Sequence, residues 1–262
     1  MVQASVGFQC PECVKQGARN SPHITARAVL ERPPYVTYAL IALNAIALLA
    51  VLQSGGSLTD GGGTFTRDYG LVGAGLTQSN TVVGVAVHQW YRLITGGFVH
   101  AGIIHFGMNM FVLWIIGTQM ERVLGAVRYL ALYVTCLAAG AFAVMLADPG
   151  VLTVGASGAI FGIMGAAASF QRSRGISLAQ SGLGVLIVIN LVFSFAVPGI
   201  SIAGHIGGLI GGLAVGWLIF QLEGRVRSEW AAAAMCLAIT VALLFGGVWA
   251  ANHFYLTGHA VL

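Results

Sequence analysis

Seven long apolar runs restrict this chain to membrane folds. They lie near residues 35–52, 103–120, 127–146, 157–171, 181–197, 203–221 and 231–252. A run of roughly 20 apolar residues can cross the hydrocarbon core of a bilayer as one helix. Only 8% of the residues are charged, whereas a typical soluble domain has about 25%. The sequence therefore predicts an all-α polytopic membrane protein with seven transmembrane helices.

Polar segments flank the apolar region at both ends and suggest its boundaries. Residues 1–34 are polar, and the first apolar run after Pro33 and Pro34 is too long for the core of a signal peptide. We therefore interpret that run as a retained helix. The expected division is a cytoplasmic N-terminal segment over 1–34, a membrane domain over 35–252 and a short external tail over 253–262.

The distribution of Lys and Arg predicts the orientation in the membrane. With the N-terminus inside, ten of the 12 basic residues fall in cytoplasmic segments, and only Arg67 and Arg92 fall outside. This asymmetry follows the positive-inside rule. We expect a cell-membrane protein with a cytoplasmic N-terminus and an external C-terminus. The loops also account for the net charge of +4, and no basic stripe indicates a nucleic-acid partner.

Four polar side chains fall at the external ends of three predicted helices. Ser157 opens the fourth run and His205 opens the sixth, while His105 and Asn109 lie one turn apart near the external end of the second. All three helices run from outside to inside, so these side chains are expected at similar depth. The helix from Ser157 to Arg172 is only about 22 Å long. Ser157 is therefore expected below the surface, in a water-accessible cavity lined by protein.

A hydroxyl beside an imidazole is the pattern of a serine hydrolase. The Ser157 hydroxyl needs a base to become nucleophilic, and histidine is the usual base. Candidate donors to the oxyanion are the Ser157 backbone N–H, the Asn109 amide and the His105 imidazole. No acidic side chain is placed to orient His205. We therefore expect a Ser157–His205 dyad in which packing, with Phe161 as the stacking ring, holds the imidazole.

Glycines at four-residue spacing occur on both helices that carry this pair. They are Gly158 and Gly162 on the fourth run, and Gly204, Gly208 and Gly212 on the sixth. This spacing lets transmembrane helices approach until their backbones touch. The same spacing occurs in many tightly packed helix pairs, so it supports proximity and not a particular chemistry.

Two other classes of function remain open on these residues. One is a substrate-binding scaffold without catalysis, against which the presence of both Ser157 and His205 argues. The other is a small-solute transporter, which predicts inverted repeats with paired broken helices that the sequence does not display. Labelling of Ser157 by a fluorophosphonate would separate an enzyme from both.

Over nearly all of residues 35–252, the sequence resembles the rhomboid intramembrane serine proteases. The matching elements are Gly155-Ala156-Ser157-Gly158, His205 with Gly208 and Gly212, His100 with His105 and Asn109, Trp90-Tyr91-Arg92, and Gly117 with Glu121 and Gly125. The resemblance implies a six-helix catalytic bundle, here followed by one extra C-terminal helix. It also implies cleavage of single-pass or multi-pass transmembrane substrates near the external membrane face.

The resemblance also implies roles for individual residues. Ser157 would be the nucleophile and His205 the general base, with Asn109 and His105 as oxyanion donors. By the same resemblance, Arg92 is the structural arginine of the first external loop, and Glu121 anchors the buried end of the second helix. Where many members place a tyrosine as the stacking ring, this chain has Phe161.

The N-terminal segment contains one Cys-x-x-Cys pair, Cys10 and Cys13. With the residues around it, this pair resembles the end of a zinc finger that precedes some actinobacterial rhomboids. His23 is a distant third candidate ligand, whereas structural zinc sites use four. Zinc binding here stays open, as a truncated finger or as the end of a longer natural start. No cofactor is expected for catalysis.

Overall fold

The computed structural model describes residues 2–3, 8–10, 33–77, 79–197, 199–222 and 228–257. The chain divides into two units, Met1–Pro33 and Pro34–Leu262. In the described part of the first unit, strands β1 (Val2–Gln3) and β2 (Phe8–Gln9) pair antiparallel. The second unit holds the helices.

Helices of the second unit coincide with the seven apolar runs. In chain order, the helices of the described residues are α1 (Tyr35–Gln53), α2 (Gly63–Tyr69), α3 (Arg92–Thr95), α4 (Gly102–Val112), α5 (Thr118–Leu124), α6 (Ala126–Ala147), α7 (Ser157–Ser173), α8 (Leu183–Ala196), α9 (Ile202–Leu222) and α10 (Glu229–Leu256). A π-helical turn, Leu113–Gly117, joins α4 to α5 in one continuous segment. The fold is that of an all-α polytopic membrane protein, with α10 following a set of six.

Five of these segments are long and apolar enough to cross a bilayer: α1, Gly102–Leu124, α6, Ile202–Gln221 of α9 and Trp230–Leu256 of α10. The helices that correspond to the fourth and fifth apolar runs are shorter, with 17 residues in α7 and 14 in α8. A helix of 14 residues is about 21 Å long, less than the roughly 30 Å of a hydrocarbon core. The expected run of 181–197 therefore forms a helix too short to span by itself.

Glycine contacts bring α7 and α9 together at the centre of the bundle. A methyl group added at Gly208 would overlap the carbonyl oxygen of Gly158, and one added at Gly212 would overlap that of Gly162. On α6, a Cβ at Gly140 would lie 3.0 Å from the Gly204 carbonyl oxygen. The helix backbones are thus in direct contact, which the four-residue glycine spacing predicted.

The last helix, α10, is bonded to α6 through two buried threonines. The hydroxyl oxygens of Thr135 in α6 and Thr240 in α10 lie 2.9 Å apart. Thr135 also lies within hydrogen-bond distance, 3.2 Å, of the Cys236 carbonyl oxygen. Polar side chains that bond across helices in this way stabilise packing where lipid offers no competing partner.

The segment between α1 and α4 is folded around a buried arginine. It contains α2, an antiparallel pair of β3 (Gly75–Leu76) and β4 (Val82–Val83), a 3₁₀ turn over Val85–Val87, and α3. Arg92, 1% exposed, donates to the carbonyl oxygens of Arg67 and Gly70 and to Gln89 Oε1, each at 2.7 Å. One side chain therefore holds three points of the loop.

Glu121 in α5 is bonded to the beginning of α1. Its carboxylate accepts hydrogen bonds from the backbone N–H of Val36 at 2.9 Å and of Thr37 at 2.7 Å, and from the Thr37 hydroxyl at 2.7 Å. The first N–H groups of a helix lack intrahelical partners and carry partial positive charge. A buried carboxylate thus caps α1 and ties it to the second membrane segment.

Candidate active site

Ser157 is the first residue of α7, and the segment before it is held by two other parts of the chain. Leu71 and Thr153 exchange backbone hydrogen bonds of 2.9 and 2.8 Å, and Gly155 N–H donates to the Gly96 carbonyl at 3.0 Å. Gly155 has φ +125°, a conformation that L-residues rarely adopt. A Cβ there would also lie 2.8 Å from His105 Cε1. Glycine at this position therefore permits both the turn and the close approach of His105.

The hydroxyl of Ser157 meets the imidazole of His205, which lies in the first turn of α9. Ser157 Oγ and His205 Nε2 are 2.6 Å apart. The ring of Phe161, one turn after Ser157 in α7, stacks on the imidazole with 4.3 Å between centroids and 22° between planes. His205 is 7% exposed. Phe161 contacts one face of its ring and Ser157 contacts one edge, and these contacts restrict the ring.

The other ring nitrogen of His205 is bonded to Ser194 of α8. His205 Nδ1 and Ser194 Oγ are 2.6 Å apart, and the Ser194 hydroxyl donates to the Asn190 carbonyl at 2.7 Å. A serine hydroxyl has one hydrogen, and because Asn190 accepts it, the Ser194 oxygen accepts from Nδ1–H. Nε2 is then unprotonated and accepts from the Ser157 hydroxyl. This is the arrangement that a general base requires.

The expectation that packing alone holds the imidazole was incomplete, because Ser194 was not singled out. A serine in an apolar helix usually bonds to the carbonyl four residues earlier, and Ser194 does this with Asn190. No residue pattern indicates that the same oxygen also faces His205, 11 residues later. The remaining signal is weak: a lone hydroxyl on the helix that precedes the histidine.

His105 presents a donor on the same side as Ser157. The Ala101 backbone N–H donates to His105 Nδ1 at 3.3 Å, so Nε2 carries the ring hydrogen in the neutral imidazole. His105 Nε2 lies beside Gly155, 2.9 Å from the position of a Cβ there. The ring therefore places an N–H donor next to the residues that precede Ser157.

Asn109 lies one turn after His105 on α4. Its side-chain nitrogen donates to the His105 carbonyl at 2.8 Å, which uses one of its two N–H groups. The second N–H is available to a bound group. His105 and Asn109 line the same cavity as Ser157 and His205.

His100 is a buried residue that packs against His105. It is fully buried, its Nδ1 lies 3.1 Å from the Phe98 carbonyl, and its ring packs edge-on against His105 at 5.2 Å. Burial, with a smaller contribution from nearby His105, lowers the pKa of His100 to about 3. His100 is therefore neutral, and it donates through Nδ1 to the Phe98 carbonyl.

A cavity of about 450 Å³ surrounds these groups. Ser157, Gly158, Phe161, Ser194 and His205 contribute to its walls, and most of the remaining wall is apolar. Among the supporting residues singled out in the sequence, Arg92 and Glu121 lie away from this cavity, in the loop and helix contacts described above. An apolar lining with a few placed polar groups is typical of ligand-binding pockets.

The candidate metal ligands lie in the first unit. Cys10 is exposed, whereas Cys13 and His23 lie outside the described residues. Across the part of the chain that the structure describes, no group of three or more His, Cys, Asp or Glu side chains is arranged to hold a metal ion. Zinc binding at Cys10 and Cys13 stays a prediction.

Several known proteins are similar in sequence to this chain. Residues 87–222 match the Rhomboid domain family. The chain is 34% identical to Rhomboid protease GluP of Bacillus subtilis over 224 residues, which cover 84% of this chain and 42% of GluP. It is 31% identical to Putative rhomboid protease YdcA of the same species over 147 residues, 55% of this chain and 74% of YdcA.

A relative from a different organism gives the same result. Rhomboid-type serine protease 2 of Emericella nidulans is 33% identical over 153 residues, 55% of this chain and 30% of that protein. The chain thus spans less than half the length of GluP and of the fungal relative. Because the family match covers half of the chain and includes both Ser157 and His205, the chain belongs to the rhomboid family.

Proposed function

We propose that this protein is a serine endopeptidase that cleaves membrane-spanning protein substrates with a Ser157–His205 dyad. The observation that carries the proposal is the 2.6 Å contact between Ser157 Oγ and His205 Nε2, inside a largely apolar cavity. The relatives named rhomboid protease and rhomboid-type serine protease support the same reaction class.

The proposed reaction begins with transfer of the Ser157 proton to His205 Nε2, as Oγ attacks the scissile carbonyl carbon. Negative charge then develops on the carbonyl oxygen. The Ser157 backbone N–H, His105 Nε2–H and the second Asn109 N–H are the donors for that oxygen. His205 returns its proton to the leaving amine, and water hydrolyses the acyl-enzyme by the same route.

We further propose that the site opens toward the external side of the cell membrane. Ser157, His205 and His105 lie at the N-terminal ends of α7, α9 and α4. The positive-inside distribution of Lys and Arg supports an external position for these ends. Under this topology, residues 1–34 are cytoplasmic, residues 35–252 form the membrane domain, and residues 253–262 are external.

The test is cleavage of a model single-pass substrate by the purified full chain in proteoliposomes. Wild type is expected to release both fragments, and Ser157→Ala to release neither. Expression and thermal stability should be nearly unchanged in Ser157→Ala, because only one hydroxyl beside a cavity is lost.

The matched control is Ser169→Ala in the same helix, α7. Ser169 donates to the Leu213 carbonyl at 2.8 Å and does not line the cavity. The Ser169→Ala variant should cleave the substrate at the wild-type rate. Turnover by Ser157→Ala that approaches the rate of Ser169→Ala would remove Ser157 from the mechanism.

A further inference from the structure

Helix α8 contributes one buried polar side chain to the centre of the protein. Only Leu183 and Ser194 are buried in α8, and its large apolar residues Val185, Ile189 and Phe195 are mostly exposed. Ser194 itself is 2% exposed. A hydroxyl removed from water is costly unless its hydrogen-bonding groups are satisfied. Ser194 therefore requires hydrogen-bond partners, and it has two, the Asn190 carbonyl and His205 Nδ1.

The partners of Ser194 give its hydroxyl a defined direction. Its hydrogen is donated to the Asn190 carbonyl at 2.7 Å, and its oxygen lies 2.6 Å from His205 Nδ1. Donation to a carbonyl polarises the hydroxyl and makes its oxygen a better acceptor. The group that faces Nδ1 is thus an acceptor, and it favours the tautomer with hydrogen on Nδ1.

We propose that Ser194 is a positioning residue that fixes the tautomer and ring orientation of His205, so that the catalytic unit is the chain Ser157–His205–Ser194. The proposal rests on the function proposed above. In this chain of bonds, Nδ1–H is held by Ser194 and the lone pair of Nε2 is directed at Ser157 Oγ. When His205 takes the proton of Ser157, the Nδ1–H bond to Ser194 also holds the imidazolium in place.

Phe161 alone would leave the imidazole incompletely specified. Stacking at 4.3 Å restrains the plane of the ring, but it does not distinguish the two nitrogens. In the part of the chain that the structure describes, Ser194 is the side chain bonded to Nδ1. Loss of this bond would let hydrogen move to Nε2, where the ring would compete with Ser157 as a donor.

The functional test compares Ser194→Ala, Ser194→Thr and Ser169→Ala, each as the full chain in proteoliposomes. Ser194→Ala is expected to lower kcat about tenfold to a hundredfold, the range found when a partner that orients a metal-bound histidine is removed. KM should change little, because Ser194 acts through His205. Ser194→Thr keeps the hydroxyl and should recover most of kcat. Ser169→Ala removes another serine bonded between helices and should retain wild-type kcat.

The structural test is the nitrogen-15 spectrum of His205, assigned by the signal that disappears in His205→Gln. Wild type is expected to carry hydrogen on Nδ1 at a pH where the ring is neutral. Ser194→Ala should show an increased share of hydrogen on Nε2, and Ser194→Thr should resemble wild type. If Ser194 were purely structural, Ser194→Ala would leave the His205 tautomer unchanged and would not lower kcat selectively at constant KM.

The outcomes separate this proposal from the proposed function. If wild type cleaves, Ser157→Ala is inactive, and Ser194→Ala matches wild type in kcat and in the His205 spectrum, the positioning role is wrong and the dyad stands. If Ser194→Ala loses kcat but keeps the wild-type tautomer, the positioning role is also wrong. If wild type itself does not cleave and Ser157 is not labelled by a fluorophosphonate, the proposed function is wrong.

Discussion

The contact between α7 and α9 makes Gly212→Ala a severe test of the architecture. The added methyl group would overlap the carbonyl oxygen of Gly162. That oxygen belongs to a helix backbone and cannot rotate away, so the helices must separate. Overpacking of a close-packed interior costs about 1–3 kcal/mol, and a clash with backbone belongs at the upper end. The higher helix propensity of alanine offsets about 1 kcal/mol.

The expected net loss from Gly212→Ala is therefore about 2 kcal/mol of unfolding free energy, or roughly a 30-fold change in the folding equilibrium. Activity should fall further than stability alone explains. Helix α7 carries Ser157 and α9 carries His205, so separating the helices lengthens the Oγ–Nε2 contact. A misplacement of about 1 Å can reduce turnover about a hundredfold.

The matched control is Gly107→Ala in α4. Gly107 lies between His105 and Asn109 in sequence, yet a Cβ there meets nothing within 4 Å. The unfolding free energy of Gly107→Ala should rise by up to about 1 kcal/mol, and its turnover should equal that of wild type. The assays are thermal unfolding in detergent and cleavage of the model substrate in proteoliposomes. Equal stability and equal turnover for Gly212→Ala and Gly107→Ala would refute the direct backbone contact.

Three further predictions follow from named contacts. Asn109→Ala should lower kcat about a hundredfold to a thousandfold, the range for one oxyanion donor, while Ser157 still reacts with a fluorophosphonate; a change under threefold would make Asn109 a structural residue. Glu121→Gln should lower the unfolding temperature, because the charge-assisted bonds to Val36 and Thr37 contribute about 1–3 kcal/mol, and an unchanged unfolding temperature would contradict this. Cleavage should decrease as the pH is lowered far enough to protonate His205, since only the neutral ring accepts a proton, and EDTA should have no effect; EDTA inhibition that added zinc reverses, in a chain lacking residues 1–30, would contradict the serine mechanism.

Much of the fold follows from patterns that the sequence displays directly. Apolar runs predicted the helices because lipid requires long, internally bonded segments. The glycine spacing on α7 and α9 predicted their backbone contact, which the structure has at Gly208 and Gly212. The run expected at 181–197 corresponds to α8, which at 14 residues is three residues shorter. Gly182 and Pro198 flank it in the sequence, and hydropathy alone does not weigh such helix breakers.

The candidate site was predictable only where chemistry and topology coincide. Ser157 and His205 stand at helix starts that a topology argument places on one side of the membrane, and the structure puts them 2.6 Å apart. Ser194 lacked such a signal, because its partner depends on how α8 rotates against α9. A structural role for Arg92 in its loop was implied by the family resemblance alone, because two of its three acceptors are backbone carbonyls that no residue type reveals.

The central claim is that Ser157 is a nucleophile activated by His205, and covalent labelling with a fluorophosphonate measures this most directly. The probe would be applied to wild type, His205→Ala and Ser157→Ala in detergent, with the modified residue located by mass spectrometry. Wild type should be labelled at Ser157, His205→Ala only at a strongly reduced rate, and Ser157→Ala not at all. Labelling of another residue in wild type, or an equal rate in His205→Ala, would contradict the account.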